Sequence, residues 1–348
     1  MLPAGWLDVA LQEAPGRGGW GSRRDRSPAP GVRQTGRMPA LRHLQLTTVL
    51  RTLGVRPVPP APARGVVPAR ASVPGRAVAG EPAPARPGAH ADLVARAVAA
   101  GAPRPAAARL ADAVAALPAR ERAQVERPLT PARGSDVLRL GTAAARQTDG
   151  TTCGSAVLAM LAAAGDPTLA YWLVTGRRVA GHEPDELRGV ADAPGPAGRF
   201  GALQDALKRR SNARAVLGLL PWPAALGTPP WGAARVARFP GVAYRSVLVD
   251  DSRPSEVTRV LVRAGRALDR GVPVPLYTGG DLSGGPASAI PRHVVLLTGR
   301  TAEGFAVYEP SSGRVHDVPS ADLVVPHGPL DALGRWSHVA WALLPVRG

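Results

Sequence analysis

The stretch from residue 153 to 164 limits the folds open to this chain more than any other. It carries no charged side chain, is built almost wholly of Ala, Val, Leu and Met after its first three residues, and is followed by Gly165 and Pro167 in the order expected of a helix C-terminus. Such a segment predicts a central helix with little surface left for solvent, around which the rest of the fold has to be built. Strand-like runs lie at 246–250, 272–277, 293–298, 304–308, 314–318 and 339–344, with a helix expected over 255–270 between the first two. Short helices are expected at 171–174, 186–191 and 200–210, and a loop over 221–232 whose Trp222 and Trp231 either form a wall beside a substrate or cover the sheet. Helix first and sheet later predicts an α+β fold, with an antiparallel sheet packed on the central helix.

The residue that opens this helix is Cys153, the one cysteine of the 348 residues. Most lone cysteines are small buried hydrophobes. Here Gly150, Thr151 and Thr152 precede it, which describes a loop-to-helix junction and not a helix interior. The partial positive charge of a helix N-terminus favours thiolate over thiol, so this is how a nucleophile is presented. Gln147 lies six residues upstream, where its side-chain amide N–H can be aimed at the oxygen that becomes negative when a thiolate attacks a carbonyl.

A thiolate at neutral pH is best generated by a neighbouring imidazole. Of the seven histidines, His293 opens the strand-like run 293–298, and Glu309 ends the run 304–309 sixteen residues later. If the two runs form an antiparallel hairpin, the start of the first lies beside the end of the second. The carboxylate then fixes the tautomer and orientation of the imidazole.

Gln147, Cys153-Gly154-Ser155-Ala156, the run Arg270-Gly271-Val272-Pro273-Val274-Pro275, His293-Val294-Val295 and Tyr308-Glu309-Pro310 together resemble the core of a papain-like cysteine peptidase over about residues 138–345. Within that superfamily the chain is most similar to the double-glycine leader peptidases and their stand-alone relatives. The resemblance implies that Cys153 is the nucleophile, His293 the base and then the acid, Glu309 the residue that orients it, and Gln147 the oxyanion donor together with the Cys153 backbone N–H. The third position is Glu309 where that group has aspartate, and Val157 and Leu158 stand where plant enzymes of the papain type have a tryptophan after the nucleophile. No transporter sequence follows the domain before Gly348, so leader processing coupled to export is not expected. The expected activity is that of a thiol-dependent hydrolase, a cysteine peptidase acting on a peptide or protein substrate, with acyl transfer as a neighbouring chemistry. A catalytically silent member of the fold that binds a peptide or protein is the alternative.

Other acids and histidines fit less well. His316 and Asp317 are adjacent on one strand-like run and therefore face opposite sides. His338 sits in the terminal run, and His182 with Glu183 precedes Pro184, Asp185 and Glu186, a pattern that predicts a helix start. No cofactor is expected, and no pair of cysteines or histidines has the spacing of a metal site.

The chain holds 43 Lys and Arg against 26 Asp and Glu, a net charge of +17, yet Lys208 is the one lysine. Ala, Gly, Pro and Arg dominate throughout, as in a GC-rich coding sequence, and +11 of the charge lies before residue 137. With 14 aromatic residues and no basic run interleaved with them, no dedicated nucleic-acid site is expected. No apolar stretch of 18 residues and no signal-like N-terminus is present, so neither a membrane span nor export is expected and the reading is cytoplasmic. Residues 1–90 are rich in Pro, Gly, Ala and Arg, which predicts a mostly disordered tail, with one short amphipathic helix at 41–50 and Met38 as a second possible start. Residues 91–136 predict a helical hairpin leading into a catalytic domain at 137–348, its apolar residues recurring at three- and four-residue steps around a break at Gly101 and Pro103.

Overall fold

The computed structural model describes residues 88–216, 218–280 and 293–347. Of the tail expected over residues 1–90, residues 1–87, with the short helix and Met38, lie outside the described residues, and its last residues differ from expectation, since the first helix already starts at Ala89.

Three helices lead in where a hairpin was expected: α1 (Ala89–Ala99), α2 (Arg104–Ala115) and α3 (Ala119–Glu126). Pro103 and Pro118 stand at the N-caps of α2 and α3, where a missing N–H costs nothing and the fixed φ starts a turn. Of α3 only Val125 is buried, so it lacks the apolar stripe that would have revealed it. A two-residue ribbon, β1 (Arg139–Leu140) with β2 (Ala143–Ala144), carries the chain to the central helix α4 (Cys153–Gly165).

Every residue of α4 except Ala164 is buried, as its uncharged sequence requires. Asp166 then ends α4 and caps α5 (Pro167–Thr175), accepting hydrogen bonds from the N–H groups of Thr168 at 2.7 Å and Leu169 at 3.4 Å. Gly176, at φ 77°, closes α5. The two helices meet at 116°; among the described residues no single helix is long and apolar enough to cross a membrane, and this bent pair, which has the composition, lies buried in the fold.

Next come α6 (Gly195–Asn212), α7 (Pro230–Val236), β3 (Val242–Leu248) and α8 (Pro254–Leu268). Helix α8 has Pro at its start, Glu256 in its first turn and Arg266 in its last, and buries Val257, Val260, Leu261, Ala264 and Leu268 along one stripe. The segment expected as a loop over 221–232 differs: Pro229 and Pro230 start α7 inside it. The helix start expected after Pro184 is a single tight turn, Asp185–Leu187.

The remaining strands are β4 (Val274–Gly279), β5 (His293–Arg300), β6 (Gly304–Glu309), β7 (Arg314–Pro319) and β8 (His338–Arg347), with a short helix α9 (Ser320–Val324) after β7. With β3 they form one six-stranded sheet in the order β3-β8-β4-β5-β6-β7, every pair antiparallel. Helix α4 packs against β5 and against α6. The architecture is thus α+β, an antiparallel sheet on a buried central helix.

Candidate active site

The junction that presents Cys153 is built from side-chain hydrogen bonds of its own loop. Thr152 holds the N-cap position of α4, where a threonine normally bonds an N–H of the first helical turn. Here its hydroxyl turns back, accepting from the N–H groups of Thr148 and Asp149 at 3.0 Å each and contacting the Asp149 carbonyl at 3.1 Å. The helix therefore has no side-chain cap. The first-turn N–H groups, which an α-helix cannot satisfy within itself, stay available beside the sulfur.

Two further residues hold this loop, and both escaped sequence reasoning because their partners are distant in the chain. Gln204 on α6 is fully buried; its Oε1 accepts from Thr148 N–H at 3.1 Å and its Nε2 donates to the Arg146 carbonyl at 3.0 Å. Lys208, one turn further along α6, donates to Thr151 Oγ1, which in turn donates to Asp149 Oδ1 at 2.6 Å. Burial opposes ionisation of Asp149, but the bonds from Thr151 and the charge of Lys208 prevail and lower its pKa.

Gln147 lies on the same loop. Its Nε2 donates to the Asp149 carbonyl at 2.7 Å, while its buried Oε1 has no partner. One of the two amide hydrogens is thus committed to the loop, leaving the second as the donor the amide can offer elsewhere. The Gln147 backbone N–H donates to the Pro310 carbonyl at 2.8 Å, which ties the loop to the turn after β6.

His293 and Glu309 come together as the hairpin requires. Leu296 pairs with Tyr308, and continuing that register sets Glu309 opposite Val295, so His293 is its diagonal neighbour on one face. His293 Nε2 stands 2.7 Å from Glu309 Oε1. The carboxylate is fixed in turn: Oε1 accepts from Ser311 N–H at 2.7 Å and Ser311 Oγ at 2.6 Å, and Oε2 from Ser312 N–H at 2.8 Å. Burial alone would raise the Glu309 pKa, but the bonds from His293, Ser311 and Ser312 outweigh it and hold the carboxyl well below the usual carboxylate range. For His293 burial opposes the charged ring, and hydrogen bonding to Cys153 and Glu309, with their charges, raises its pKa to about 9.

Cys153 is the other group facing the ring. With Nε2 taken by Glu309, Nδ1 is the nitrogen left for the thiol. Tyr277 on β4 approaches from the side: it is fully buried, its hydroxyl donates to the Thr228 carbonyl at 3.1 Å, and burial together with the Cys153 charge puts its pKa well above the ordinary value. Cys153 is 4 % exposed and His293 7 %.

The competing residues are placed elsewhere. His316 and Asp317 sit on β7, and His338 at the start of β8 faces Asp251 at 3.7 Å. Trp222 and Trp231 pack edge to face with ring centroids 5.4 Å apart, and Trp231 Nε1 donates to the Ala215 carbonyl. Among the described residues no group of three or more His, Cys, Asp or Glu is arranged to hold a metal ion.

No protein-family model matches the chain, and no curated protein or solved structure matches it either.

Proposed function

We propose that the chain is a thiol-dependent hydrolase of the papain-like type, acting on a peptide or amide bond. The observation that carries this reading is the orientation of His293, held by Glu309 through Nε2 at 2.7 Å while its other nitrogen is left to a thiol at the N-terminus of a helix. Thiolate and imidazolium form by transfer of the Cys153 proton to Nδ1. The sulfur then adds to the substrate carbonyl carbon, and the oxygen takes the developing charge beside the first-turn N–H groups of α4 and the free amide hydrogen of Gln147. The C–N bond breaks as Nδ1 gives its proton to the leaving nitrogen. A water molecule attacks the resulting thioester, Nδ1 takes its proton, and the C–S bond breaks to release the acid.

Burial of the thiol, 4 % exposed, favours a second reading in which the protein binds a peptide without cleaving it. Incubation with a peptide library separates the two. Cleavage that is present in the wild type and absent in Cys153→Ala and His293→Ala, with an acyl group trapped on Cys153 seen by mass spectrometry, supports the hydrolase. Binding without cleavage or acylation rejects it.

A further inference from the structure

One side of the His293 ring is covered by main chain. The tight turn Asp331–Leu333 is followed by Gly334 at φ 66° and by Arg335 at φ 67°, the one non-glycine residue with positive φ among the described residues. A Cβ placed on Gly334 would lie 2.3 Å from Cδ2, 2.6 Å from Nε2 and 2.7 Å from Cγ of His293, so its three nearest contacts are all atoms of the imidazole. The near-equal distances to Nε2 and Cγ put that Cβ over the face of the ring above Cδ2, so the glycine Cα packs directly against the face of the imidazole.

The turn behind Gly334 is anchored on several sides. Leu330 N–H donates to the Trp336 carbonyl at 3.0 Å, Arg335 N–H donates to the Leu330 carbonyl at 2.9 Å, and Leu333 is fully buried. Thr278, the register partner of His293 across β4 and β5, donates its hydroxyl to the Leu333 carbonyl at 3.0 Å. A side chain at 334 meets a fixed turn on one side and a rotatable ring on the other, so the ring is what moves.

We propose that Gly334 is a positioning residue for His293, its bare Cα forming the stop that keeps the imidazole turned between Glu309 and Cys153. The thiol half of this role rests on the hydrolase reading, and the Glu309 half does not. Among the described residues the titratable groups that face the ring are Cys153 from α4 and Glu309 from β6, while Tyr277 on β4 faces Cys153.

The test compares Gly334→Ala with Gly241→Ala in the full chain. Gly241 has φ 67° and open space around its Cα, so it incurs the same left-handed backbone strain and touches nothing. His293 is titrated by imidazole NMR, and iodoacetamide alkylation of Cys153 is timed near pH 6. In Gly334→Ala the His293 midpoint falls by at least one unit and alkylation slows by about tenfold, the equivalent of that shift. Gly241→Ala leaves both unchanged. Thr278→Val, which removes the Leu333 anchor without adding bulk at 334, lowers both readouts partway and serves where Gly334→Ala does not accumulate. A Gly334→Ala protein with wild-type titration and alkylation overturns the proposal, as does an unaltered Thr278→Val. If wild-type alkylation is indifferent to His293, the hydrolase reading fails, and the NMR midpoint still decides the role of Gly334.

Discussion

Gly154 lies so close to Thr228 that a methyl group on the glycine would come within 2.8 Å of the Thr228 Cβ. The residue after the candidate nucleophile is thus the point where the segment before α7 leans on α4, and that segment also receives the Tyr277 hydroxyl through the Thr228 carbonyl.

Gly154→Ala therefore sets two effects against each other. In an unobstructed helix the change stabilises by about 1 kcal/mol. Here it overpacks a buried contact, which costs about 1–3 kcal/mol. The expected net result is a thermal midpoint below that of the wild type. An unchanged or raised midpoint would show that the Thr228 segment yields freely.

Glu309→Gln keeps an acceptor for His293 but removes the negative charge and faces a donor to Ser312 N–H. The imidazolium loses its counter-charge, so alkylation of Cys153 near pH 6 is expected to slow by about tenfold, one pKa unit. Cys153→Ser abolishes it. Equal alkylation rates in Glu309→Gln and wild type would show that the carboxylate charge does not hold the ring.

The raised His293 pKa makes stability depend on pH. An unfolded histidine titrates near 6.5, whereas His293 in the fold titrates at about 9. The stabilising contribution is therefore complete below about pH 6.5 and is lost as pH rises through about 9. Urea midpoints are expected to fall across that window in the wild type and to fall less in Glu309→Gln. A flat wild-type profile would show that the ring is not held as a cation.

Gln204→Ala removes two of the three bonds that α6 makes to the loop before Cys153, leaving Thr148 N–H with only Thr152 and the Lys208 bond to Thr151 in place. Amide hydrogen exchange at Thr148 is expected to accelerate, and alkylation of Cys153 to slow, while exchange in the β5–β6 hairpin stays as it was. The unpaired Arg146 carbonyl adds a stability cost of about 1–3 kcal/mol. Unchanged exchange at Thr148 would show that Thr152 and the Lys208 bond to Thr151 hold the loop without Gln204.

The strands were legible to within a few residues because β-branched runs such as 293–298 end at Gly or Pro, and the central helix because nothing in it tolerates water. Helix α7 was not, since Pro229, Pro230, Trp231 and Gly232 carry the signs of a loop while two of them in fact begin a helix. The nearness of His293 to Glu309 follows from hairpin pairing, a local property. Gln204, Thr278 and Gly334 were invisible, because each acts on a residue far away in the chain, and spacing along a sequence carries no trace of such contacts. The amide of Gln147 was placed on the correct loop, but the bond that turns it to Asp149 depends on backbone torsions that no residue pattern reveals.

The order of strands has a consequence for biosynthesis. Strand β8, formed by His338–Arg347, runs between β3 and β4, so the sheet is two separate pieces until this segment arrives. A ribosome-bound chain that has displayed everything up to residue 337 can pair β4 through β7 and can bring His293 to Glu309. It leaves two unpaired strand edges where β8 belongs, each a template for another nascent chain. Of the six strands, the one made latest is thus the one that seals the sheet from within.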